Sequence, residues 1–171
     1  MTSAICSEIH TALETSERLY HKLVLVVGEA GDGKTFALRE AAESLNTEII
    51  NVNLAISAEL LDLTAKQRVL RLPEVLDQVA DNSISPVVLD NLEILFDMDL
   101  KLDPLRLLQG ISRNRTTLAS WNGSFDDGKL IYAEQGHPEH RKYDATDIQI
   151  VIINKPNNDG AKEFDRGAEL S

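Results

Sequence analysis

Five apolar residues, Leu23-Val24-Leu25-Val26-Val27, run directly into Gly28-Glu29-Ala30-Gly31-Asp32-Gly33-Lys34-Thr35. A continuous apolar run this short reads as a strand buried on both faces. The segment after it matches G-x-x-x-x-G-K-[ST] at every fixed position. Residues 34–45 then read as a helix, with Phe36, Leu38, Ala41, Ala42 and Leu45 at helical spacing. In a strand, glycine loop and helix so joined, loop N–H groups and the positive helix end converge on an anion. Gly28 is expected to let the chain leave the strand through a backbone conformation that a Cβ hinders. Gly31 and Gly33 admit phosphate oxygens to the backbone. Lys34 would reach the β- and γ-phosphates, and Thr35 would give its hydroxyl to Mg²⁺. The whole loop, Gly28 through Thr35, is thus the candidate site for ATP with Mg²⁺.

The rest of the chain repeats the strand–helix alternation. Residues 3–20 fit an amphipathic helix with Ile5, Ile9, Ala12 and Leu13 on one side. Ile49 to Asn53 reads as a second strand and 57–80 as helical, broken where Pro73 could open a new helix. Pro86 to Asp90 is a third strand. Asp103-Pro104 reads as a helix start, with Asp as N-cap and Pro at the first position. Thr116 to Asn122 is a fourth strand and Ile148 to Ile153 a fifth. Residues 123–147, rich in Gly, Asp, His and Pro, read as a long loop or short hairpin, and 155–171 as a polar, flexible tail. Alternating strands and helices predict an α/β fold, a three-layer sandwich around a five-stranded, mainly parallel sheet. The 171 residues amount to one domain, here 1–154.

A phosphate loop needs a carboxylate for the Mg²⁺ shell at the end of another buried strand. Asp90 supplies it. AAA+ ATPases often follow this Asp with a Glu that polarises water, but here the position holds Asn91, which is no carboxylate base. Glu93 could substitute if the strand bends, or could be a solvated residue after it. Asn53, at the end of the second strand, offers no rescue. Asn122 stands where AAA+ proteins carry a polar sensor for the γ-phosphate or water, or else forms a turn with Gly123. Arg113, Arg115 and Arg141 could each serve as an arginine finger for a neighbour's nucleotide or make surface ion pairs. Lys34, Asp90, Glu93, Asn122, Arg113 and Arg141 are the candidate catalytic set, with Thr35 and Asp90 on the metal. His137 and His140 lack the carboxylate or Cys set that a metal site needs and read as a surface loop.

Composition removes other classes. The net charge of −11 and 5% aromatics argue against a free-standing nucleic-acid binder or a stacking platform, so DNA contact is expected only through a local patch or partner proteins. Cys6 is the single cysteine, so no intrachain disulfide or multi-cysteine zinc site is possible. No apolar run suits a membrane span, and the first twenty residues lack a signal-peptide pattern, so the expected setting is the cytoplasm. Asn154-Lys155-Pro156-Asn157 approaches the guanine motif N-K-x-D but ends in Asn. Asp90-Asn91-Leu92-Glu93 also lacks the Gly of D-x-x-G, which leaves a GTPase reading poorly supported. A small-molecule kinase fits the length, yet 137–142 is a poor Arg-rich lid.

Taken together, Leu23 to Thr35, Leu89 to Phe96, Asp103 to Gly110, Ser112 to Arg115, and Trp121-Asn122-Gly123 with Gly136 to Glu139 resemble the BrxF family. These are the small P-loop, AAA+-like proteins of type 3 BREX phage-defence systems. The likeness spans about residues 20 to 153. It implies a nucleotide-dependent step in bacterial antiviral defence beside companion proteins that methylate self DNA and exclude phage DNA. It also implies other defence-system proteins as partners, with a homo-oligomer expected. The chain is expected to end at its fifth strand without the helical lid of typical AAA+ proteins. Two classes stay open: an ATPase, and a non-hydrolysing nucleotide switch or assembly subunit.

Overall fold

Strand β1, Leu23–Gly28, is buried along its whole length, as its unbroken apolar run requires. It sits inside a sheet of order β2-β3-β4-β1-β7, in which every neighbouring pair is parallel. The other strands on this path are β2 (Ile49–Asn51), β3 (Val87–Asp90), β4 (Thr117–Asp126) and β7 (Gln149–Ile152). The computed structural model describes residues 3–29, 31–97, 100, 102–132, 141–145 and 147–153. Among these residues no helix is long and apolar enough to cross a membrane.

Side chains alternate across β1 and divide the core in two. Val24 and Val26 face helices α1 (Ala4–Ser16) and α2 (Lys34–Leu45), packing with Cys6, Ile9, Leu38 and Ala41. Leu23, Leu25 and Val27 face α3 (Val52–Leu60), α4 (Ala65–Asp81) and α5 (Pro104–Ile111), among Ile56, Leu72, Leu76 and Leu108. The result is three layers, helices on both faces of a mostly parallel sheet, as the strand–helix alternation predicts. The single cysteine, Cys6, is fully buried in this core, and that burial pushes its thiol above its ordinary range.

Several local expectations change. Phe36 is 66% exposed; the inner face of α2 is Ala37, Leu38, Ala41 and Ala42, one residue further round the helix. The second strand stops at Asn51, whose side chain accepts from the Leu54 N–H and caps α3, so Val52 and Asn53 are helical. The helical break lies at 61–64, not at Pro73. Thr64 and Gln67 form a reciprocal capping box that starts α4, and Pro73 lies within it. Asp103 caps α5 through the Arg106 N–H, with Pro104 at its first turn.

The largest difference is beyond Asn122. Strand β4 does not end there but continues to Asp126, turns at Asp127-Gly128 and pairs antiparallel with β5 (Lys129–Tyr132). Both turn residues have positive φ, 54° and 75°, as a tight two-residue hairpin demands. Strand β6 (Arg141–Asp144) pairs with β5 in turn. The sheet therefore has seven strands, five parallel and two added by this antiparallel extension. Asn122-Gly123 is not a turn. Residues 133–140, which include His137 and His140, lie outside the described residues, as do Asn154 to Asn157 and the tail.

Candidate functional site

The carboxyl ends of β1 and β3 and the part of β4 where its parallel pairing ends meet at one edge of the sheet, where ligands of open α/β sheets bind. Between them opens a cleft of about 430 Å³, lined by Gly31, Gly33, Lys34, Thr35, Asp90, Asn91, Glu93, Ser120 and Asn122. Parallel pairing produces this convergence: β1 and β4 run in register from Leu23 opposite Thr117 to Gly28 opposite Asn122.

The glycine loop owes its shape to two different constraints. Gly31 and Gly33 have φ of 86° and 97°, conformations that side chains disfavour. Gly28 does not have positive φ. A Cβ there would stand 3.2 Å from the Ile153 carbonyl oxygen and 3.3 Å from the Asp32 carboxylate, so close approach, not torsion, selects glycine. Asp32 closes the loop on itself: its N–H donates to the Glu29 carbonyl at 3.0 Å, and its Oδ2 accepts from the Glu29 N–H at 2.7 Å. Its Oδ1 is buried without a partner among the described residues. Gly33 heads α2 without any side-chain cap, which leaves the first N–H groups of the helix directed at the cleft. Ala30 falls outside the described residues.

Lys34 is 7% exposed, and its Nζ donates to the Glu29 carbonyl at 2.9 Å. Burial holds the ammonium below its ordinary pKa, opposed by the nearby carboxylates of Asp32, Asp90, Glu93 and Glu29. A buried cation facing an open cleft suits an anionic ligand. The Thr35 hydroxyl donates to Asp90 Oδ2 at 2.7 Å, and the Ser120 hydroxyl donates to Asp90 Oδ1 at 2.7 Å. Both oxygens of Asp90, itself 5% exposed, are thereby oriented. One carboxylate and one hydroxyl form a hard-oxygen pair of the kind that holds Mg²⁺ together with waters and substrate phosphates. Among the described residues no group of three His, Cys, Asp or Glu could hold a metal by itself.

After Asp90 the chain does bend. Asn91 takes φ 58°, a left-handed conformation that Asn tolerates, and the next turn is a 3₁₀ helix, Glu93–Phe96. The bend carries Glu93 into the cleft. Its Oε1 accepts from Asn53 Nδ2 at 3.2 Å and its Oε2 from Asn122 Nδ2 at 2.9 Å. Asn53 also accepts the Ile94 N–H at 2.9 Å and donates its own N–H to the Asn91 carbonyl at 3.1 Å. Asn53 supplies no carboxylate of its own, but it holds the one that is there. It sits in the first turn of α3, not at a strand end, and anchors the segment that bears Glu93.

Arg113 and Arg115 lie elsewhere. Arg113 is at the far end of the sheet, with its guanidinium carbon 5.0 Å from the centroid of the Tyr20 ring. Arg115 donates to the Ile111 carbonyl and to Asp77 at 3.0 and 3.3 Å and also pairs with Asp81. Arg141 lies on β6, opposite Tyr132. Sequence reasoning passed over Ser120, although a hydroxyl within the apolar run Leu118-Ala119-Ser120-Trp121 is a usable signal. A buried polar group needs a partner.

The chain matches no protein-family model and no curated protein sequence. Among solved structures, that of C. elegans PCH-2 superposes with a TM-score of 0.42 at 19% identity, over 72% of this chain and 38% of that one.

Proposed function

We propose that the chain is an Mg²⁺-dependent ATP-binding domain of AAA+-like P-loop architecture that hydrolyses ATP. The observation that carries this reading is the double grip on Asp90 by Thr35 and Ser120, beside Lys34 and Glu93 in one cleft. The loop N–H groups and Lys34 bind the phosphates. Thr35 and Asp90 hold Mg²⁺, which when bound supplies charge neutralisation at the phosphoryl oxygens. Glu93 accepts a proton from the attacking water, in place of the carboxylate absent at Asn91. Asn53 and Asn122 orient that carboxylate, and the water-facing geometry depends on both.

A second reading, a nucleotide-dependent switch or assembly subunit without turnover, is favoured by the tethering of both Glu93 oxygens. Calorimetry with ATP and Mg²⁺ and phosphate release by the pure protein, with and without DNA, separate the two. Binding with no release supports the switch, and no binding rejects both. ATP should be preferred over GTP, because Asn157 stands where guanine recognition requires Asp. The resemblance to BrxF supports a role as a cytoplasmic subunit of a BREX-type antiphage system that works with other defence proteins. Self-association strengthened by ATP follows if Arg113, or secondarily Arg141, completes a neighbour's site.

A further inference from the structure

We propose that Phe96 and Tyr132 are positioning residues for Glu93, their stacked rings fixing the short helix that carries the carboxylate into the cleft. This rests on the reading of Glu93 as the water-activating group. Glu93 and Phe96 are the first and last residues of the 3₁₀ turn. In that helix side chains three apart eclipse, so displacement of one displaces the other. A single 3₁₀ turn has little stability of its own and is held by what packs on it.

What packs on it is the antiparallel extension. The Phe96 and Tyr132 rings lie face to face, with centroids 3.6 Å apart and planes at 7°. Trp121 meets Phe96 edge-on at 5.1 Å. Tyr132 pairs with Gly123 across β4 and β5, and the residue before Gly123 is Asn122, the partner of Glu93. A Cβ at Gly123 would strike the Ile131 carbonyl, to which Trp121 Nε1 donates at 3.2 Å, so β5 is pinned tightly against β4. The contacts close into a ring: Glu93 to Asn122, along β4 to Gly123, across to Tyr132, on to Phe96, and back through the 3₁₀ turn. The void bordered by Glu93, Phe96, Ser120, Asn122 and Tyr132 is only about 10 Å³, room for one water at most. While the stack is intact, Glu93 has no space to swing inward.

The test uses the full chain with Tyr132→Leu, Phe96→Leu, Tyr132→Met and Tyr132→Phe. The first three remove the stack, and the last keeps it. For the first three, kcat should fall at least about tenfold, part of the usual general-base contribution, with KM within about twofold. Tyr132→Phe should restore the parent rate. Independently of turnover, the Asn53 and Asn122 side-chain amide signals in ¹⁵N NMR should move in the three stack-free variants, as in Glu93→Gln, and stay in place in Tyr132→Phe. Unmoved amide signals in a folded stack-free variant overturn the inference. So does loss of the fold in all three, which would make the cluster purely structural. A parent that binds ATP and releases no phosphate defeats the hydrolytic reading alone, and the amide signals still decide the positioning role.

Discussion

The two ends of β1 stand in opposite surroundings, although one sheet builds both. At the Leu23 end, polar groups satisfy one another. The Lys22 N–H donates to the Ser112 carbonyl at 2.8 Å, and the Thr117 N–H to the Lys22 carbonyl at 2.9 Å. His21 Nδ1 meets the Gln109 carbonyl at 3.1 Å, and Arg115 ties the end of α5 to Asp77 and Asp81 on α4. At the Gly28 end, a buried lysine, two oriented carboxylates and uncapped helix N–H groups surround open space. Polar groups that close on each other hold a fold together. Polar groups converging on a cleft are held ready for something outside the chain, at a cost in stability.

The comparison breaks if either end behaves like the other. The largest effect should come from Lys34→Ala. Losing charge-assisted bonds of about 1.5–3 kcal/mol each should weaken ATP binding at least about a hundredfold by calorimetry, with the thermal transition preserved. Equal affinity in mutant and parent would reject the phosphate-loop assignment. Glu93→Gln should slow phosphate release by about 10²–10⁴ and leave ATP affinity unchanged, measured by single-turnover kinetics and calorimetry.

At the other end, Arg115→Ala should cost about 1–3 kcal/mol in urea unfolding, because the Ile111 carbonyl loses a charged donor, and should not touch ATP affinity. The two ion pairs add little, since Asp77 and Asp81 are more than half exposed. Lys34→Met sharpens the contrast. The folded state lowers the pKa of Lys34, so charged Lys34 works against folding below that depressed value. The penalty fades as pH rises through it toward the unfolded value of 10.5. The methionine variant should therefore melt higher than the parent at pH 7, and this gain should shrink as pH rises toward 10.5. The smallest effect is Arg113→Ala, about 0.5–1 kcal/mol from the contact with Tyr20. If Arg113 reaches a neighbour's nucleotide, the same variant also loses ATP-dependent association in sedimentation velocity. A strict monomer with and without ATP defeats that role for both Arg113 and Arg141.

The glycine loop, β1, α2 and the capped start of α5 were legible because each rests on local rules. A glycine pattern, an apolar run and an Asp-Pro pair act within a few residues of themselves. Of the β4–β5–β6 extension the sequence offered only a choice, a long loop or a short hairpin; the structure takes the hairpin and makes it continuous with β4. Asn122-Gly123 looks like a turn locally, and only pairing with β5 keeps it extended. The contacts of Asn53 and Ser120 were not legible for a related reason. Each acts on a residue far along the chain, Asn53 on Glu93 and Ser120 on Asp90.

By itself the sequence determined that a glycine loop would stand between a buried strand and a helix, with Asp90 at the end of another buried strand. Backbone torsion, helix polarity and two-sided burial are short-range consequences of residue type. Tertiary structure alone decided that Glu93 belongs to the cleft. The left-handed turn at Asn91, the two asparagine donors and the rings of Phe96 and Tyr132 come from four separate segments. Their positions follow from strand order and register, which are fixed when the whole sheet packs and not by any stretch of the chain alone.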